Sequence, residues 1–145
     1  GVRIEGSWTG ADVEGKDVLP GSTFTLSQEI TNNSTEAVYL FVRIDTEENA
    51  YKISDLSHGW TAVKEDGDMI LLAYGSESAM VEDGPDVAIE FGGLLTLDVT
   101  NAEFAELEDS ALDFTINACG IAKSQCGNHT APLDVYEAYV ESGGE

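Results

Sequence analysis

Two cysteines and a histidine late in the chain carry the side chains most able to form a covalent link or hold a metal. Cys119 and Cys126 are the only cysteines, and His129 follows three residues after the second. Zinc accepts thiolate and imidazole, but a structural site needs one more ligand and usually a CxxC pair. We therefore predict a disulfide between Cys119 and Cys126, as suits a secreted protein, with free thiols and zinc as alternatives.

Acidic residues gather in two predicted turns, where their carboxylates are of the type that ligates calcium. These groups are Glu65, Asp66 and Asp68, and then Glu82, Asp83 and Asp86. Neither group has the spacing of an EF-hand loop, and such clusters arise by chance in a chain with 28 acidic residues. We predict no metal and no cofactor, and calcium enters only in the alternative function given below.

Motifs of catalysis are missing from the sequence, which contains no HExxH, GxSxG, P-loop or GxGxxG pattern. Catalysis needs an acid or base held near a nucleophile or metal. The remaining histidine, His58, lies in a Ser-His-Gly stretch typical of a turn. We therefore predict that the protein is not an enzyme and has no catalytic residues.

Three N-x-[ST] triplets begin at Asn32, Asn33 and Asn128, and they matter only if the source glycosylates its secreted proteins.

The charge of the chain limits its partners. Its 145 residues include 6 basic and 28 acidic side chains, a formal net charge of −22. A surface this acidic repels nucleic acid and anionic lipid, and no apolar run approaches the ~18 residues of a membrane-spanning helix. We expect no nucleic-acid partner and no membrane insertion. The length suits one domain, residues 1–145. The chain starts at Gly1 without methionine, which fits either a mature N-terminus after processing or a cloning remnant.

The stretch 19–45 sets the pattern for the rest of the chain. Pro20 and Gly21 favour a turn, and residues 23–30 then alternate between apolar and polar, as in a half-buried strand. Residues 37–45 are β-branched and aromatic on both faces, which predicts a central strand. The polar turn between the two strands, residues 31–35, predicts an antiparallel hairpin.

Short strands recur through the remaining sequence, with turn residues between them. Further strands are predicted at 51–56 (or a helical turn), 60–64, 69–74, 87–91, 94–100 and 112–118, with a D-G hairpin between the second and third. Asn101 is predicted to cap a short helix at 102–107, residues 134–140 to form a helix or a last strand, and residues 141–145 to form a flexible tail. The pattern predicts an all-β antiparallel sandwich, jelly-roll or immunoglobulin-like, with one or two short helices.

The first predicted strand is the segment with a possible role in assembly. It comprises Val2, Arg3, Ile4, Glu5, Gly6, Ser7 and Trp8, with Val2, Ile4 and Trp8 on one face. It either folds into its own sandwich as an edge strand or acts as a donor strand that completes a neighbouring subunit. At ~3.3 Å per residue it spans about 23 Å, enough for one sheet edge. The loop 9–17 is polar and contains glycine, so it suits a crossover between subunits.

Several stretches resemble the SipW-dependent, secreted TasA/camelysin-like proteins. The similar stretches are VLPGSTFT at 18–25, ITNNSTEAVYLFVRID at 30–45, GWTAVKEDGDMILLAYG at 59–75, FGGLLTLDV at 91–99, LDFTINACGIAK at 112–123 and VYEAYV at 135–140. The two cysteines are not part of the family pattern. Some relatives have been classed as metalloproteases, but the chain lacks a zinc-protease motif.

The resemblance implies a sandwich that is secreted with cleavage of a signal peptide and assembles into extracellular fibres of a biofilm matrix or a pilus-like filament. In such members the N-terminal strand completes the next subunit, which corresponds to residues 2–8 here. We therefore expect a non-enzymatic subunit whose partners are copies of itself, joined head to tail. The alternative is a monomeric cell-surface binding module, with or without stabilisation by calcium, in which residues 2–8 fold into its own sheet.

Overall fold

The computed structural model describes residues 2–5, 19–32, 37–46, 50–66, 68–75, 88–107, 114–141 and 143, and of residues 2–5 and 123 the backbone alone. Within these ranges the strands are β1 (Val2–Glu5), β2 (Thr23–Asn32), β3 (Val38–Thr46), β4 (Tyr51–Ser54), β5 (Trp60–Asp66), β6 (Met69–Tyr74), β7 (Ala88–Leu97) and β8 (Phe114–Ala122). The helices are α1 (Asn101–Glu106) and α2 (Pro132–Glu141), and a single 3₁₀ turn covers Lys123–Gln125.

The strands form two sheets of four, and the strand pairs are antiparallel. Sheet 1 has the order β1-β2-β7-β4, and sheet 2 has the order β5-β6-β3-β8. Side chains from both sheets meet in one apolar core between them. The predicted all-β antiparallel sandwich with few helices is confirmed.

The alternating pattern of β2 decides which of its faces enters the core. Leu26 and Ile30 are buried, whereas Thr25, Ser27 and Glu29 on the other face are exposed. The same alternation on β7 sends Phe91, Leu95 and Leu97 inward. Burying each of these side chains contributes about 1.5–3 kcal/mol, so the core is the main source of stability.

Strand β3 is buried on both faces, as predicted for a central strand. One face, which includes Val42 and Ile44, points into the core between the sheets. The other face packs Phe41 against Tyr136 of α2, with ring centroids 5.3 Å apart. Helix α2 therefore covers part of the outer face of sheet 2 and forms a second, smaller apolar cluster there. The segment predicted as a helix or a last strand is a helix.

The predicted D-G hairpin is confirmed as β5 and β6. Trp60 at the start of β5 is 6% exposed and connects the two sheets. Its ring packs edge-on against Phe91 of β7 at 4.9 Å, and its indole N–H donates to the carbonyl oxygen of Glu90 at 2.9 Å. A buried indole N–H needs such an acceptor, so this contact fixes the edge of sheet 2 against the middle of sheet 1.

The sequence predicted that β2 and β3 form an antiparallel hairpin, and this prediction is wrong. β2 pairs with β1 and β7 in sheet 1, whereas β3 pairs with β6 and β8 in sheet 2. The connection between β2 and β3 therefore crosses from one sheet to the other. Alternation along a strand shows which face is buried, but it carries no information about the neighbouring strand.

Two further boundaries differ from prediction. Gly92 and Gly93 do not separate two strands, because β7 runs through them. The N-cap of α1 is Thr100 rather than Asn101: the Thr100 hydroxyl accepts from the Glu103 N–H at 3.1 Å, and the Glu103 carboxylate accepts from the Thr100 N–H at 2.9 Å. This capping box lowers the pKa of the Glu103 carboxyl, chiefly through the backbone hydrogen bond.

Several predicted features lie outside the described residues: loop 9–17, the acidic group at 82–86 and most of the tail 141–145. Of that tail, Glu141 belongs to α2. Among the described helices, none has the length and hydrophobicity needed to cross a membrane.

Candidate functional site

The predicted polymerisation strand lies at one edge of sheet 1. Residues Val2–Glu5 form β1, which pairs with the C-terminal part of β2 in the same chain. The rest of the predicted strand, Gly6, Ser7 and Trp8, lies outside the described residues. β1 also lies close to β8, which is the edge strand of sheet 2. It therefore occupies the seam between the two sheets.

The register of β1 places its residues on the two faces of sheet 1. Ile4 is opposite Ile30 and Val2 is opposite Asn32, and both β2 partners are buried. Directly opposite residues of an antiparallel pair lie on the same face. The backbone register thus places Val2 and Ile4 at core-side positions, and Arg3 and Glu5 at outer-side positions.

Within the described residues, β1 pairs with the C-terminal part of β2. Its pairing ends at Glu5 and Glu29, whereas β2 begins at Thr23. Next to this end, Gln28 is 6% exposed, and its buried Oε1 atom accepts no hydrogen bond from any residue that the structure describes. An unsatisfied buried polar group costs about 1–3 kcal/mol. Among the described residues, β1 is thus paired with β2 only from Glu29 to Asn32, and a buried acceptor lies beside the end of this pairing.

Two other sheet edges carry features that discourage strand addition. β4, at the far edge of sheet 1, has four residues and includes the exposed Lys52. β5, at the far edge of sheet 2, has a register shift between Ala62 and Lys64 and ends in charged residues. Short, bulged or charged edges are the usual protection against pairing with another chain. The seam beside β1 is therefore the better candidate for strand addition.

The two cysteines belong to one region but are not bonded to each other in the structure. Cys119 lies on β8 opposite Phe41, and Cys126 is buried after the 3₁₀ turn, so that both contact the apolar cluster under α2. The Cys126 thiol donates to the Ala122 carbonyl oxygen at 3.3 Å. Burial raises the pKa of the Cys119 thiol. The structure shows no disulfide between them, and the disulfide stays a prediction.

The described residues contain no group of three or more His, Cys, Asp or Glu side chains placed to hold a metal ion. This statement covers Glu65, Asp66 and Asp68 of the β5–β6 hairpin and Cys119, Cys126 and His129. Of the glycosylation triplets, Asn32 is buried and Asn128 is exposed.

A pocket of about 430 Å³ lies between α2 and the outer face of sheet 2. We call it the Arg43 pocket, and it is lined by Arg43, Asp45, Asn117, Ala118, Cys119, Tyr136 and Tyr139. Nε of Arg43 donates to Oδ1 of Asp45 at 2.8 Å, and Nη1 donates to the Tyr136 hydroxyl at 2.9 Å. The Tyr136 hydrogen bond is the main cause of a raised pKa of Arg43.

Sequence reasoning missed the Arg43 pocket. Arg43 and Tyr136 are separated by 93 positions in the chain, so their contact depends on how α2 crosses sheet 2. One signal was available: Arg43 and Asp45 are charged residues at alternate positions of an otherwise apolar strand, on the same face. Such a pair on a central strand indicates a local polar site on that face.

Comparison with known proteins assigns no family. No family model matches the chain. A search of curated proteins likewise finds no match. The functional conclusions below therefore depend on the residues and geometry of this chain and on the resemblance of its motifs.

Proposed function

We propose that the protein is a structural subunit of an extracellular filament, pilus-like or part of a biofilm matrix, that assembles head to tail by donor-strand complementation. The observation that carries the proposal is the position of β1. Its described part is a four-residue strand at the seam of the sandwich, paired with the C-terminal part of β2 and close to β8. The polar segment that follows β1 in sequence suits a crossover to another subunit.

The pairing of β1 with its own β2 supports exchange as well as self-folding. A β1 strand donated by a neighbour would meet the same groove in the same register, so the interactions of the closed subunit and of the exchanged pair are nearly equal. Exchange of an identical element is for this reason a low-cost route to assembly. Each large apolar side chain that a donated strand buries contributes about 1.5–3 kcal/mol.

Exchange in one direction gives an open polymer. Each subunit would donate β1 to the next and accept β1 from the previous one, which is a heterologous contact. Such contacts extend into a filament unless the rotation between subunits closes a ring. In this proposal the protein is secreted, its partners are copies of itself, and it performs no catalysis.

A monomeric cell-surface binding module of the same fold is the second candidate. The pairing of β1 with β2 within one chain favours it. The two candidates differ in where β1 is bound in the purified protein, and that difference is directly measurable.

Negative-stain electron microscopy of the full chain beside a variant lacking residues 1–8 tests the proposal. We expect filaments from the full chain and folded monomers from the truncated variant. A synthetic peptide of residues 1–8 should then bind the truncated variant and block its incorporation into filaments of the full chain. Monomers in both samples, with an unfolded truncated variant, would contradict the filament proposal and favour the binding module.

A further inference from the structure

The Arg43 pocket has a rigid floor and wall. Its floor is the β3–β8 pair, in which Arg43 is directly opposite Asn117. Its wall is α2, which contributes Tyr136 and, one turn later, Tyr139. Tyr136 is 5% exposed and is held by its ring contact with Phe41. Sites built on sheets and helices hold their side chains in more defined positions than sites on loops.

The charges that line the pocket balance. Arg43 is the cation, and Asp45, bound to it at 2.8 Å, is the anion. The other lining side chains are Asn117, Ala118, Cys119, Tyr136 and Tyr139, none of which carries a charge at neutral pH. The whole chain, at −22, repels anionic ligands. The pocket therefore favours a neutral ligand.

The polar groups offer donors and acceptors together. An arginine has five N–H donors, and the bonds to Asp45 and Tyr136 orient the Arg43 guanidinium without using all of them. The exposed Asn117 amide provides both a donor and an acceptor, and the Asp45 carboxylate provides acceptors. A ligand that carries several hydroxyl groups, each both donor and acceptor, matches this arrangement.

The remaining lining is apolar. Tyr139 and Cys119 are partly exposed and lie beside the polar groups. The C–H faces of a sugar ring pack on surfaces of this kind while its hydroxyls bind planar amide, carboxylate and guanidinium groups. The volume of about 430 Å³ is within the range of small-ligand pockets.

We propose that the Arg43 pocket binds a neutral saccharide unit. This function goes beyond assembly and is independent of it, since the pocket lies on the outer face of sheet 2 and β1 lies at the seam. In a filament the pocket would recur once per subunit, and many weak sites on one polymer would bind a polysaccharide with high avidity.

Nuclear magnetic resonance titration of the isotope-labelled full chain, at low salt and before filaments form, tests this proposal. The probes are glucose, galactose, mannose and N-acetylglucosamine, with glucuronic acid as the anionic counterpart of glucose. We expect at least one neutral sugar to shift the backbone signals of Arg43, Asn117 and Tyr139 in a saturable way. Glucuronic acid should bind more weakly than glucose because of the charge of the chain.

Two variants make the test specific. Asn117→Ala should weaken sugar binding about tenfold, as expected for loss of one or two hydrogen bonds. Thr115→Ala is the matched control, because Thr115 is exposed on the same face of β8 but does not line the pocket. The proposal is overturned if no neutral sugar shifts the pocket signals, if only glucuronic acid does, or if Asn117→Ala binds like wild type.

Discussion

Gly59 is a residue at which one added methyl group has a predictable cost. Its φ is +91°, and a Cβ atom there would lie 2.6 Å from Cε1 of Tyr74. Tyr74 packs edge-on against Trp60, the side chain that connects the two sheets. A methyl group at Gly59 would therefore displace a ring of the core as well as strain the backbone.

We predict that Gly59→Ala lowers the free energy of unfolding by about 2–4 kcal/mol, from left-handed strain and overpacking together. Gly21→Ala is the matched control, because Gly21 has a similar φ of +88° but no atom within 4 Å of the added Cβ. It should lose only the strain, about 1–2 kcal/mol. Urea denaturation measures both values, and equal losses would show that the Tyr74 contact is unimportant.

The Cys119 thiol should make the free energy of unfolding fall as the pH rises into the alkaline range. Burial raises the pKa of its thiol, so the folded state holds the proton to a higher pH than the unfolded state does. Its contribution to stability is complete below the thiol pKa of the unfolded chain, about 8.5, and is lost as the pH rises through the folded value. We predict that the reduced protein loses more stability between neutral and alkaline pH than Cys119→Ala does.

Chemical denaturation of the reduced protein and of Cys119→Ala at several pH values measures this difference. The variant keeps every other group that titrates in the alkaline range, so it is the proper reference. If the cysteines are instead joined in the predicted disulfide, the unreduced protein has no thiol to titrate and should lose less stability at alkaline pH than the reduced protein does. Identical slopes for the reduced protein and the variant would contradict the effect of burial on Cys119.

At the scale of elements, substitutions in β1 can distinguish an effect on strand exchange from an effect of net charge. Ile4 is opposite the buried Ile30, and Arg3 is opposite Thr31 on the other face. Ile4→Asp places a charge in an apolar groove, which is strongly unfavourable unless the charge is paired. We predict that Ile4→Asp forms no filaments while the subunit, whose core is built by the other strands, stays folded.

Arg3→Gln is the control for Ile4→Asp, because both variants lower the net charge by one unit but act on opposite faces of β1. Filament counts by electron microscopy and circular dichroism of the subunit measure assembly and folding separately. Arg3→Gln should assemble. Filaments of wild-type appearance from Ile4→Asp would exclude β1 as the polymerising element.

Much of the element list could be predicted from the sequence, for identifiable reasons. Alternation in β2 and the two apolar faces of β3 are visible in the sequence because strand side chains alternate between faces. The D-G turn defined the β5–β6 hairpin. The pairing of β2 with β7 could not be predicted, because residues 33–87 separate the two strands and their contact depends on tertiary packing.

The prediction wrongly divided β7 into two strands at Gly92 and Gly93, because glycine is common in turns. In the structure the Gly92 N–H donates to Oγ of Ser57 at 2.9 Å, and the Ser57 N–H donates to the Gly92 carbonyl oxygen at 2.9 Å. The loop after β4 thus approaches the backbone of β7 closely at this point. Close approach of another segment is a known reason for glycine within a strand, but it depends on tertiary structure. The Arg43 pocket could not be predicted from the sequence for the same reason, because it also depends on tertiary structure.

At the scale of the whole molecule, the charge of −22 opposes both folding and assembly. A local case lies on the outer face of sheet 1, where Glu29 is directly opposite Glu90 and also opposite Glu5 of β1. Like charges at directly opposite positions destabilise a strand pair. Since Glu5 belongs to the proposed donor strand, this row adds to the repulsion that an incoming strand must overcome.

We predict that raising the salt concentration stabilises the subunit and speeds filament growth, because the screening length falls from about 8 Å at physiological ionic strength to ~3 Å at 1 M. Light scattering and urea denaturation across a sodium chloride series measure the two effects. Magnesium chloride at equal ionic strength should act at least as strongly, since a divalent cation also neutralises carboxylates. Glu29→Gln, which removes the middle carboxylate of the row, should grow faster at low salt and respond less to added salt. A rate of filament growth that is unchanged or lowered by salt would contradict the electrostatic barrier. It would not bear on donor-strand exchange itself, which the Ile4→Asp experiment tests.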